Sequence, residues 1–177
     1  MSYRVHDYLI EQPMDDWQSA ISAWAWLLPP DATIWGISRF ADVFLVMADG
    51  TVWMLDVGVG SLTRLADDTI QFQGLVEDED NAVEWLMTPL VDDLVDSGMT
   101  LRSGQCYGFK IPPVLGGDYT IENVAMLPIS DYLGSTGSIH EQLQELPDGA
   151  EVVLSVVDDD AVPNTLSDSG FPAPNLN

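Results

Sequence analysis

Ala41 to Gly60 reads ADVFLVMADGTVWMLDVGVG, and this stretch decides the fold. Two runs rich in aliphatic, aromatic and β-branched residues, 42–48 and 51–57, flank Asp49-Gly50. An Asp-Gly pair accepts the left-handed backbone that a tight reversal demands, so the runs are expected to fold back as antiparallel strands. Gly58-Val59-Gly60 then turns the chain into a shorter strand at 61–65, and residues 33–38 supply a strand before the hairpin. Together these four runs predict a β-meander, the spine of a sheet.

Outward from the meander the period changes. Upstream, Asp15 or Asp16 is placed to cap a helix whose Trp17, Ala20, Ile21, Trp24, Ala25 and Leu28 share one face, and Pro29-Pro30 stops it. Downstream, Asp67 or Asp68 caps a short helix carrying Ile70, Phe72 and Leu75. Glu77-Asp78-Glu79-Asp80 breaks that helix and leads into another with Val83 and Leu86. Thr88-Pro89 offers a cap and a first-turn proline, and Gly98 a stop. In that third helix Leu90, Val91, Leu94 and Val95 are expected to face inward, and Asp92, Asp93 and Asp96 water. Residues 124–128 are read as returning to the sheet. Ser138-Ile139-His140-Glu141 has capping-box spacing ahead of Leu143 and Leu146. Pro147-Asp148-Gly149 turns into an apolar strand at 151–157, and the polar, proline-bearing residues beyond it read as a loose tail.

The fold class is therefore α+β, an antiparallel or mixed sheet built on a β-meander with helices packed on one side and at the ends. The expected organisation is an N-terminal helical extension at 1–30, the α+β domain at 31–157 and an acidic, polar tail at 158–177.

A second stretch, Gly104-Gln105-Cys106-Tyr107-Gly108-Phe109-Lys110-Ile111-Pro112-Pro113-Val114-Leu115-Gly116-Gly117, concentrates glycine, proline and aromatic residues with the only Cys and the only Lys of the chain. It reads as a strand over 105–111 that runs into a rigid loop and back out through Asp118-Tyr119-Thr120. Pro112-Pro113 holds the backbone extended and Gly116-Gly117 turns it. Two uses fit: a structural clasp, or a pocket near Tyr107, Phe109 and Pro112-Pro113.

The continuation GQCYGFKIPPVLGGDYTIENV resembles the signature of the C-terminal domain of type VI secretion immunity proteins. FADVFL at 40–45, DGTVWMLDVG at 49–58, Leu62-Thr63 and the run from Ile139-His140 to Leu146-Pro147-Asp148-Gly149 are similar to it too, so the resemblance covers roughly residues 30–150. It implies a protein that neutralises a DNase toxin. In this family the domain often follows a GAD-like domain. The residues before about 30 are too few for a full one, a departure from the two-domain pattern.

Charge narrows the partners. The chain of 177 residues has a formal net charge of −24, and only Arg4, Arg39, Arg64, Arg102 and Lys110 are basic. Such a field disfavours direct binding to nucleic acid or anionic membrane and favours a basic protein. One cysteine leaves no intrachain disulfide, the start lacks a signal-peptide pattern, and no apolar run is long enough to cross a bilayer. A cytoplasmic protein is expected.

Sites for chemistry are few. His6 and His140 are the only imidazoles, and a Cys106–His140 nucleophile pair lacks any activating motif around it. Neither Cys-x-x-Cys nor His-x-x-x-His occurs, and Asp78 to Asp80 lack the calcium-loop pattern. No catalytic residue, cofactor or metal is assigned. The candidate partner-binding residues are the acids of the helical stretch, Asp67, Asp68, Glu77, Asp78, Glu79, Asp80, Asp92, Asp93 and Asp96, with Glu84 among them. They suit either a solvated helical face or a patch matched to a basic nuclease cleft. The reading is a non-enzymatic immunity protein for a cognate toxin, a basic nuclease. The alternative is a ligand-binding or scaffolding domain with its pocket at the glycine-proline segment.

Overall fold

The computed structural model describes residues 4–11 and 17–147. Contacts divide the chain into two units, Met1–Leu146 and Pro147–Asn177, and every helix and strand named below belongs to the first. The expected strand at 151–157, the tail, and the capping residues Asp15 and Asp16 lie outside the described residues.

The meander forms as the sequence dictates. Strands β1 (Thr33–Ile37), β2 (Val43–Val46), β3 (Val52–Asp56) and β4 (Ser61–Ala66) lie side by side in that order, each antiparallel to the next. Between β2 and β3, the Gly50 N–H donates to the Met47 carbonyl at 2.9 Å and Gly50 has φ 86°. This is the three-residue loop with a glycine in the left-handed position. The Asp49 carboxylate locks it by accepting from the Thr51 N–H and hydroxyl. The β1–β2 loop repeats the geometry, with the Ala41 N–H donating to the Ser38 carbonyl. Here Ala41, at φ 69°, stands where a glycine is usual.

Strands β5 (Gln105–Phe109) and β6 (Val124–Pro128) pair antiparallel as a separate two-stranded sheet. Residues 124–128 therefore do not rejoin the meander. A backbone bond from the Tyr107 N–H to the Arg39 carbonyl, at 2.7 Å, ties β5 to the β1–β2 loop instead.

The meander alternates its side chains between two cores. Phe44, Val52, Met54 and Ala66 pack with Phe72, Val76, Ala82, Trp85 and Leu86 of helices α2 (Thr69–Val76) and α3 (Glu79–Leu86). Val43, Leu45, Leu55 and Val57 pack on the opposite face with Trp17, Trp24, Tyr132 and Leu133. The α+β class holds, and the structure adds a covered second face. That face is closed by helix α5 (Ile129–Leu143) and the segment around α1 (Trp17–Ala20). Burying apolar residues on both faces of one sheet explains its near-continuous hydrophobic strands.

Helix starts follow their caps, with three corrections. Asp68 accepts from the Gln71 N–H at 2.8 Å and caps α2, and Asp78 accepts from Asp80 and Asn81 to cap α3. Helix α4 (Thr88–Asp96) takes Pro89 in its first turn, but Thr88 is already helical. The joint before it is Met87, held at φ 50°. Helix α5 starts immediately after Pro128, so Ser138 lies mid-helix and caps nothing. The expected single helix through Leu28 is instead α1 followed by a 3-10 turn at Ser22–Trp24. Two indoles account for the break. Trp24 Nε1 donates to the Leu133 carbonyl at 3.0 Å and Trp26 Nε1 to the Gly137 carbonyl at 3.2 Å, both on α5. Tertiary bonds thus override local periodicity.

Candidate partner-binding surface

All of the acids named from sequence are exposed: Asp67, Asp68, Glu77, Asp78, Glu79, Asp80, Asp92, Asp93 and Asp96. The fold gives several of them local duties. Asp68 and Asp78 cap helices, and Asp67 pairs with Arg64 at 2.7 Å, the one ion pair among the described residues. Asp92 accepts from the Tyr8 hydroxyl at 2.8 Å, tying the N-terminal segment to α4. Burial and that neighbouring carboxylate push the Tyr8 phenol up to about 12. Glu79, Asp92 and Asp96 border one cleft, together with Arg4 and Arg39. Asp93 is on the same helix, exposed.

The inward face of α4 is narrower than its periodicity suggests. Val91 and Leu94 are buried, whereas Val95 is 40% exposed. Ile70 on α2 is 80% exposed and Val83 on α3 also faces outward. Both helices are short, and the residues that reach the sheet are Phe72, Val76, Ala82, Trp85 and Leu86.

The glycine-proline segment, the clasp below, is bonded to its surroundings along its length. Gly104 turns the chain into β5 at φ 82°, and the Gln105 side chain accepts from the Arg102 N–H at 3.0 Å. Tyr107 is buried and donates its hydroxyl to the Met99 carbonyl. A Cβ on Gly108 would sit 2.7 Å from a ring carbon of Tyr132, so α5 packs against bare backbone there. Pro112 leads into a 3-10 turn at Pro113–Leu115, which Gly116 ends at φ 88°. A Cβ on Gly117 would collide with the Ile111 backbone.

Asn123 closes the loop, and sequence reasoning misses it. Its Oδ1 accepts from the Ile111 N–H, and its Nδ2 donates to the carbonyls of Ile111 and Asp118, each at 2.9 Å. A lone Asn beyond the glycine pair carries no motif that would flag it. Lys110 donates to the Glu122 carbonyl at 2.7 Å, not to an acid.

No Cys106–His140 pair forms. Cys106 is buried in the core, and burial pushes its thiol up to about 12. His140 gives its Nε2 to the Val57 carbonyl at 3.0 Å, and burial lowers its basicity.

Where the clasp meets the meander there is a cavity of about 210 Å3. Phe40, Phe109 and Tyr119 bring rings to it, and Asp42, Asp56 and Glu84 bring carboxylates. Phe40 stacks on Phe109 with centroids 5.2 Å apart, and Tyr119 meets Phe109 edge-on at 5.1 Å. Asp42 is only 2% exposed. It accepts from the Val57 N–H at 2.9 Å and the Ser38 hydroxyl at 3.2 Å. Burial, then the charge of Asp56, raise its pKa well above the ordinary carboxylate range. Exposed Val59, Ile111 and Val114 belong to the loops around this region, and Pro113 lies against Gly58.

No curated protein matches the chain closely enough to count as a relative. Among solved structures, "Crystal structure of Atu4351 from Agrobacterium tumefaciens" is similar at 20% identity and a TM-score of 0.48. The similarity covers 68% of this chain and 60% of that one, so this chain spans about three fifths of the other's length. The family comparison is more informative, and it is narrower than the 30–150 span of the resemblance. Residues 66–140, from the end of β4 to His140, match the family "T6SS immunity protein Tdi1, C-terminal".

Proposed function

We propose that this protein is a non-enzymatic immunity protein that binds a cognate secreted toxin, a basic nuclease, in the cytoplasm and so neutralises it. The observation that carries the proposal is the family match over residues 66–140, which contains the whole acidic helical stretch and the clasp. The net charge of −24 supports a cationic partner and argues against nucleic acid or an anionic membrane as direct ligands. The exposed acids at the two ends of α2 and along α3 and α4 are positioned to steer such a partner inward, while rigid aromatic and apolar groups supply affinity at contact. Asp67, Asp68, Glu77, Asp78, Glu79, Asp80, Asp92, Asp93 and Asp96 are the proposed steering set. The clasp, with Pro112-Pro113 and Gly116-Gly117 fixing its shape, is the proposed rigid platform.

The ligand-binding alternative is not favoured. Tyr107 is buried with its hydroxyl bonded to Met99, and the proline pair builds the clasp. Co-expression with the toxin gene tests the proposal. Cells carrying the toxin should survive when this protein is made and lose viability when it is not. Equal killing with and without it would refute the immunity role.

A further inference from the structure

The cavity between the clasp and the meander has a chemistry of its own. Among the described residues, three carboxylates line it and no basic side chain does. None of Asp42, Asp56 and Glu84 has a cationic partner among those residues. Glu84 is exposed on α3, and Asp56 Oδ1 accepts from the Val59 N–H at 2.9 Å. Asp42 sits deepest, nearly sealed from water.

Burial disfavours the charged form of Asp42, and a cation arriving beside it and the two outer carboxylates would stabilise that form. The other walls are the rings of Phe40, Phe109 and Tyr119 with Met54, Met87 and Gly58, and aromatic faces favour a cation with a planar, weakly hydrated head. The cavity's volume of about 210 Å3 suits a side chain and not a folded element. Among the described residues, both non-glycine positions with left-handed backbone border it. Met87 lines it, and Ala41 lies between Phe40 and Asp42, which do. Strained backbone is kept where the surrounding structure holds a particular surface in place.

We propose that this cavity receives one arginine side chain of the toxin, its guanidinium set between Asp56 and Glu84 with Asp42 beneath and Tyr119 alongside. The proposal rests on the immunity reading above and adds the chemistry of the contact. Val59, Ile111 and Val114, exposed on the surrounding loops, give the partner an apolar rim around a charged centre. That is the usual anatomy of a binding hot spot, in which a buried arginine is shielded from water by less energetic neighbours.

Two measurements test it. The first uses the free protein. Arginine amide should shift the backbone amide resonances of Gly58, Glu84 and Tyr119, and citrulline amide, the uncharged isostere, should not. Equal shifts from both, or none from arginine amide, would overturn the proposal. The second uses the purified toxin with Glu84→Gln, Tyr119→Ala and, as a matched control at an exposed position of α5, Glu141→Gln. Glu84 is exposed, so Glu84→Gln should melt like the parent, and Tyr119→Ala should stay folded with a slightly lower midpoint for the lost edge contact with Phe109. Glu84→Gln should weaken toxin binding about tenfold or more through faster dissociation, and Tyr119→Ala similarly. Glu141→Gln should stay within about twofold, as surface changes away from an interface do. Tight binding by all three variants would overturn the cavity's role and leave immunity standing. A parent protein that does not bind the toxin would overturn the immunity reading itself.

Discussion

Asp42 and His140 hold the two ends of a single residue, Val57. The Asp42 carboxyl accepts the Val57 N–H at 2.9 Å, and His140 Nε2 meets the Val57 carbonyl at 3.0 Å. An imidazole facing a carbonyl must donate, so Nε2 carries the proton. One partner comes from the β1–β2 loop and the other from α5, so the end of β3 is pinned from both neighbours. Both groups are buried.

Asp42 makes stability depend on pH. Burial keeps its carboxyl protonated well above the ordinary range, whereas the unfolded chain ionises it near about 3.9. Between those values the folded chain binds more protons, so Asp42's contribution to stability falls as pH rises. Asp42→Asn keeps an acceptor for the Val57 N–H, puts an amide group in place of the oxygen that accepts from the Ser38 hydroxyl, and removes the titration. Urea melts from pH 4 to pH 8 should show the variant gaining on the parent as pH rises. A gap that stays constant with pH would contradict this.

His140 acts in the opposite direction. Burial lowers its basicity below that of an unfolded imidazole, which titrates near about 6.5. Below that pH the unfolded chain binds the extra proton, so stability is lost as pH falls. His140→Gln should flatten the acid side of the profile. Gly60, at φ 75° with the His140 ring against it, has no room for a methyl group. Gly60→Ala should cost about 2–3 kcal/mol in a denaturant melt, combining left-handed strain with displacement of the imidazole. A parent-like midpoint would show that the ring is not fixed there.

The clasp should fail through its own two supports. Gly108→Val drives a side chain into Tyr132 and Leu127 and should cost on the order of 1–3 kcal/mol. Asn123→Ala removes the amide that ties Ile111 to Asp118 and should cost about 1–3 kcal/mol. Hydrogen exchange at the Ile111 amide, which donates to Asn123, should speed up in the second variant. Unchanged exchange and midpoint in both would mean the loop is held by other contacts.

Much of this architecture is legible because its signals are local. Asp49-Gly50 marks the β2–β3 turn, Asp68 and Asp78 mark two helix starts, and Pro89 marks the first turn of α4. The hidden features depend on distant partners. No pattern within residues 17–28 shows that two indoles bond to α5, nor that Pro128 leads straight into a helix running past Ser138. The acids are legible from composition, and their exposure follows. The cavity is not legible at all. Asp42, Asp56 and Glu84 lie in three separate segments, and only the folding of α3 against the meander brings them together.

The acidic face of α4 should govern the speed of association. Changing Asp92, Asp93 and Asp96 together to Asn keeps size and polarity and removes three negative charges. The on-rate for a basic toxin should fall, and raising salt should slow the parent more than the variant. Asp92 also bonds Tyr8, so a melt of the triple variant must accompany the kinetics. Identical rates at low and high salt would remove this face from the encounter.

For the nuclease toxin proposed as the partner, the most direct test is DNA cleavage by the purified toxin, followed while this protein is added in increasing amounts. Cleavage should fall in proportion to the protein added and stop once the toxin is saturated. The DNA itself should show no binding to the protein alone. Cleavage that continues at full rate with the protein in excess would contradict the immunity function.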